Sequence, residues 1–144
     1  MPMSKVDIVR ASIAAYDARD LDAIAAMAHP DVELHDWPEA ADPRVYRGVT
    51  AIEEAREEWS KAWESVRVEP TDFVETGDRV FVAMRTFARG RESSIDVEMD
   101  TFGVYTFRDD KISKLQYFTN RESALEAAGL ADQQANRKAA QEAR

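Results

Sequence analysis

Residues 102–118 read FGVYTFRDDKISKLQYF. Two runs with a period of two flank RDDK (108–111), a turn signal, so the stretch predicts paired antiparallel strands at 95–107 and 111–119. The same period extends upstream. TGD (76–78) separates predicted strands at 67–75 and 79–89, and RGRESS (89–94) forms a longer polar turn. The second half of the chain therefore reads as a meander of four strands.

The first half has a helical period. Ser4 with Asp7 resembles a capping box, and Val6, Val9, Ile13 and Tyr16 recur at helical spacing. Asp20 is placed to cap a short second helix with Leu21, Ile24 and Ala28 on its apolar side. HPD (29–31) stops it, because Pro30 lacks an N–H and restricts its predecessor. A strand follows at 32–37, then a loop with two prolines, then VYRG (45–48) as a very short strand. Thr50 and Glu53 match a capping box for a third helix, whose apolar face would be Ile52, Ala55, Trp59, Ala62, Trp63 and Val66. At the far end Asn120 caps RESALEAAG, with Gly129 placed for its C-terminal stop. Segregated helices and antiparallel strands make an α+β domain.

Composition excludes several function classes. The 144 residues suit one domain, and 19 Lys and Arg against 28 Asp and Glu leave a formal charge of −9. An acidic surface repels phosphate backbones and anionic membranes, so neither nucleic acid nor a membrane is an expected partner. No apolar run approaches the length of a membrane span. With no cysteine, disulfides, thiolate metal sites and cysteine nucleophiles are excluded. Two histidines, His29 and His35, cannot make a three-histidine zinc site. A cytoplasmic location is expected, since the N-terminus has no signal-peptide pattern.

Taken in order, YDARDLDAIAAMAHPDVELHD (16–36), YRGVTAIEEAREEW (46–59), FGVYTFRDDKISKLQYF (102–118) and NRESALEAAGL (120–130) resemble the nuclear transport factor 2-like superfamily. They resemble in particular its SnoaL-like branch, with its polyketide cyclase-like and ketosteroid isomerase-like members. The resemblance implies a SnoaL-like domain over 4–130 and a polar tail over 131–144. It implies a cone-shaped fold, in which a curved antiparallel sheet packs on the three helices of the N-terminal half, plus a short C-terminal helix. It also implies a homodimer and a cavity between sheet and helices. It does not imply one activity, because fold alone does not carry chemistry.

By that resemblance Asp36 matches the general base of the isomerase-like members. A carboxylate in an apolar cone can shuttle a proton between carbons; the plain alternative is a solvated residue at a strand end. The family's tyrosine donor falls on Ser12 and its late aspartic acid near Gly103, so steroid isomerisation is not expected. Tyr16, one turn after Ser12, is a substitute donor or simply a core tyrosine. His35 and Asp36 alternate along the strand, so one of them faces away from the cavity. His35 is a second catalytic candidate, with Trp37 on its side of the strand.

Trp59 and Trp63 read as one turn apart on the third helix, either packed in the core or against a flat ligand. Tyr105, Phe107, Tyr117 and Phe118 lie on late strands, and parity sends about half of them inward. Arg85 interrupts FVAMRTF, to pair with Glu98 or Asp100 or to bind an anionic substrate. Asn120 stands where many relatives carry Asp and cannot serve as a base. The expected ligand is a small apolar or aromatic molecule, converted without metal or organic cofactor. The alternative is a non-enzymatic ligand-binding or dimerisation module.

Overall fold

A computed structural model describes residues 3–36, 38 and 43–130. Ser4 caps α1 (Lys5–Asp17), its side chain accepting from the Asp7 N–H at 3.1 Å. Asp20 caps α2 (Leu21–Met27) in the same way through Ala23. These local hydrogen bonds satisfy donors that a helix start leaves open. The chain continues through β1 (Ala28–His35), β2 (Val45–Arg47) and α3 (Val49–Ser60). It ends with the meander β3 (Trp63–Thr76), β4 (Arg79–Gly90), β5 (Asp96–Arg108) and β6 (Lys111–Phe118), then α4 (Arg121–Ala127).

The strands form one sheet of six, in the order β2-β1-β6-β5-β4-β3. All pairs are antiparallel except β1–β6, which is parallel. The expected sheet was antiparallel throughout. The long connection from β1 through α3 and three strands is what permits the parallel pair. The meander turns are as read from the sequence. Asp109 and Asp110 both adopt positive φ, 54° and 64°, as a two-residue type I′ hairpin turn requires. In β3 the register slips between Pro70 and Asp72, a bulge that bends the sheet.

Three boundaries differ from the sequence reading. First, α3 starts at Gly48, not Thr50, and has no side-chain cap. Gly48 takes a φ of 88° and its N–H bonds to the Val32 carbonyl at 2.8 Å, which starts the helix earlier. Second, α3 stops at Ser60, and Trp63 and Val66 belong to β3, held by pairing to Gly90 and Ala88. Third, β1 begins at Ala28 and takes in Pro30. Its ladder to β6 is irregular between Ala28 and Glu33, so the missing proline N–H breaks no regular ladder there.

Both faces of β4 are covered. Val80, Val82 and Met84 point to the side of α1, in a core with Val9, Ile13 and Tyr105. Phe81 and Ala83 point to the other side, where Ala124, Leu125 and Ala128 of α4 cover them. The Asn120 cap of α4 and Gly129 at φ 79° place that helix as the sequence predicts. Beyond α4 the outer face is charged. Arg85 contacts Glu98 and Asp100 at 2.7 and 3.2 Å, and Arg89 contacts Glu64 and Asp96 at 3.2 and 3.1 Å. No helix among the described residues is long and apolar enough to cross a membrane.

Candidate functional site

The concave face of the sheet and the three N-terminal helices enclose an open cavity. It holds about 160 Å³ of space for the centres of water-sized spheres, and most of its wall is apolar. Ile13, Ile24, Val32, Leu34, Met84 and Leu115 form much of that wall. Polar groups are few, which is the usual make-up of a small-molecule site.

β1 settles the parity of its polar end. Val32 and Leu34 are buried on the cavity side, and Asp36, in step with them, also lines the cavity. The half-buried Asp36 ends the strand. Its N–H bonds to the Arg44 carbonyl at 3.0 Å, and the Arg44 N–H reaches its Oδ2 at 3.3 Å. His35 is not in the cavity. It faces outward with Glu33, its Nε2 2.9 Å from Glu33 Oε1, while Arg47 holds the other Glu33 oxygen at 2.9 Å. His35 first, and Arg47 after it, draw the Glu33 pKa below its ordinary value. Trp37 lies outside the described residues.

Three tyrosines line the cavity: Tyr16 on α1, Tyr105 on β5 and Tyr117 on β6. Burial pushes all three phenol pKa values up, Tyr105 and Tyr117 strongly. Ser12 beside Tyr105 offsets part of the rise. Ser12 spends its own hydrogen on the Val9 carbonyl at 2.8 Å. These tyrosines are therefore neutral donors at ordinary pH. The family's late acid position, Gly103, carries no side chain. A Cβ there would meet Met84 Cε at 3.2 Å and Tyr105 Cε1 at 3.3 Å.

Trp59 and Trp63 both line the cavity, from α3 and β3 respectively. Trp59 meets the Tyr117 ring edge-on, centroids 5.8 Å apart. Phe107 belongs to the core on the cavity side, whereas Phe118 faces outward under α4. Two residues assigned to substrate binding are elsewhere. Arg85 sits on the outer face with its two acids, because parity sends Met84 and Thr86 inward instead. Asn120 is exposed and spends its side chain on the Ser123 N–H at 3.0 Å.

The sequence reading missed Asp17, Arg56, Thr86 and Thr101. Asp17 lines the cavity next to Tyr16. Burial raises its pKa, and Arg56 and Arg67 pull it part of the way back. Arg56 lies over the Tyr16 ring at 4.1 Å and donates through Nη2 to the Tyr16 carbonyl. Thr86 and Thr101 join hydroxyls at 2.8 Å in the cavity wall.

Residues 9–115 match the family model of the SnoaL-like domain. The chain belongs to the SnoaL-like domain family. Solved structures place this SnoaL-like domain in the nuclear transport factor 2-like superfamily. A nuclear transport factor 2-like protein of unknown function from Burkholderia pseudomallei K96243 is 19% identical, with a TM-score of 0.73 over 86% of this chain and 97% of that one. TerC, co-crystallised with polyporic acid, is 25% identical, with a TM-score of 0.71 over 84% of this chain and 95% of its own. A protein of ketosteroid isomerase-like fold from Catenulispora acidiphila DSM 44928, in complex with trimethylamine, is 21% identical. Its TM-score is 0.69 over 90% of this chain and 98% of that one. No curated protein matches the SnoaL-like domain.

Proposed function

We propose that this SnoaL-like domain binds a small, mostly apolar molecule that carries a carbonyl or hydroxyl, and converts it by cofactor-independent proton transfer. The observation that carries the reading is Asp36, a carboxylate on the wall of an open, apolar cavity that tyrosines also line. Asp36 would take a proton from a carbon next to the carbonyl. A tyrosine hydroxyl, held neutral by burial, would donate to the oxygen that gains charge. Returning the proton elsewhere gives an isomerisation; attack of the carbanion on a second carbonyl gives a ring closure; loss of a neighbouring hydroxyl gives a dehydration. We further propose that the protein works as a cytoplasmic homodimer, as the superfamily resemblance implies.

A second reading, a ligand carrier without turnover, is supported by Gly103 and Ser12. They stand where the isomerase-like members place their strong donors, so the oxyanion has fewer partners here. A module with a filled cone is disfavoured by the open cavity.

The test is a screen of carbonyl and polyketide-like compounds, with polyporic acid included because TerC was crystallised with it. Asp36→Asn is expected to keep ligand affinity within a few-fold and to lose turnover by about 10²–10⁴, the weight of a positioned base. Turnover that survives Asp36→Asn removes Asp36 as the base. Tight binding with no turnover in any compound favours the carrier.

A further inference from the structure

We propose that Thr86 and Thr101 form a hydrogen-bond-donating subsite for an acceptor oxygen on the ligand, across the sheet from Asp36. The inference rests on the small-molecule reading above and adds the shape and second polar group of the ligand.

The argument is a count of hydrogens. Each threonine hydroxyl carries one hydrogen. The two oxygens are 2.8 Å apart, so one hydrogen lies between them, whichever residue donates. The second hydrogen has no acceptor among the described residues, because neither hydroxyl makes another hydrogen bond there. Thr101 is 5% exposed and Thr86 is half-buried, and both line the cavity. The spare donor is therefore offered to whatever fills the cavity. An unmet donor in an apolar site is costly, so a ligand without an acceptor there is selected against.

The surroundings define the rest of the ligand. Met84 and Met99 are the strand partners of Thr101 and Thr86 and line the same cavity, so the pair is an isolated polar spot on a soft, apolar wall. In the strand order β1-β6-β5-β4, Thr101 lies two strands from Asp36 and Thr86 three. At the usual spacing between strands, that is roughly 10–14 Å along the sheet. The ligand class is thus an elongated apolar molecule with an oxygen function at each end. Asp36 and the tyrosines act at one end, and the threonine pair reads the other.

The test uses two probes of nearly equal size, 4-acetylbiphenyl, which has an acceptor oxygen, and 4-ethylbiphenyl, which has none. Their binding is followed by tryptophan fluorescence, since Trp59 and Trp63 line the cavity. The wild-type protein is expected to prefer the ketone by about five- to tenfold, the weight of one neutral hydrogen bond. Thr86→Val with Thr101→Val should abolish that preference, and Thr86→Ser with Thr101→Ser should keep it. If the valine pair does not fold, the alanine pair reads the same quantity. A ketone preference that survives loss of both hydroxyls, or no preference in the wild type, overturns the subsite and leaves the small-molecule reading intact. Failure of both probes to bind the wild type overturns the apolar-ligand reading and the subsite with it.

Discussion

Replacing Arg56 with methionine tests how the helix side of the cavity is held. Arg56 ties α3 to the end of α1, with its guanidinium over the Tyr16 ring at 4.1 Å and Nη2 on the Tyr16 carbonyl. A part-buried cation–π contact contributes about 1 kcal/mol. A hydrogen bond from a charged donor contributes about 2 kcal/mol. Against these stands Nη1, which is buried and has no hydrogen-bond partner among the described residues. Removing that unmet donor returns about 1 kcal/mol. Methionine keeps most of the apolar stem, so the net loss is about 2 kcal/mol. For a domain of this size that is a fall in Tm of about 6 °C, read by calorimetry with the cavity empty. The variant has a second readout. Arg56 lowers the Asp17 pKa, so its removal should move the Asp17 carboxyl further up in an NMR titration. An unchanged or higher Tm, or an Asp17 pKa that falls, would refute the clamp.

Other consequences can be checked separately. Burial raises the Asp17 pKa, so the folded chain holds that proton more readily than the unfolded one, and Asp17 favours folding only while protonated. Its contribution is complete below the ordinary carboxylate range and is lost as pH rises through the raised value. Asp17→Asn should therefore raise Tm relative to wild type at pH 7 and match it at the acid end, in paired melts. Phe81 is fully buried under α4 and stacked on Phe102 at 6.0 Å, so Phe81→Ala should cost about 3–5 kcal/mol in urea unfolding. Asp110→Gly should stabilise by about 0.5–1 kcal/mol, because φ is 64° there and a side chain disfavours that region. A lower urea midpoint would count against the type I′ assignment.

Much of the fold is legible because its signals are local. Ser4, Asp20 and Asn120 each bond to a backbone N–H three residues on, within reach of any sequence window. The turn at Asp109 and Asp110 needs only its own residues. Trp63 was misplaced because a spacing of four from Trp59 fits a helix, while Trp63, Val66 and Val68 also suit a buried strand. Only pairing with distant β4 separates the two.

The site was harder to read. That His35 and Asp36 face opposite ways follows from strand geometry alone. Which one faces inward was also present in the sequence, since Val32 and Leu34 share the parity of Asp36. In VFVAMRTFARG, Arg85 draws the eye as the costly charge. Its neighbour Thr86 is the one in the cavity, because long charged side chains settle on the solvated face. Asp17 sits in a run of polar residues, and its place beside the cavity depends on the packing of Arg56 from another helix.

The irregular stretch of β1 has a consequence for how such a protein changes over generations. Between Ala28 and Glu33 the strand advances five residues while its partner β6 advances two. Residues can be lost or gained in that slack without disturbing the ladder that follows. Removing one there, with the turn to β2 holding its place, would advance the rest of β1 by one step and invert it. Leu34 and Asp36 would face out, and Glu33 and His35 in. A single codon deletion is then enough to exchange a carboxylate for an imidazole on the cavity wall, with the sheet, the helices and the apolar chamber left as inherited.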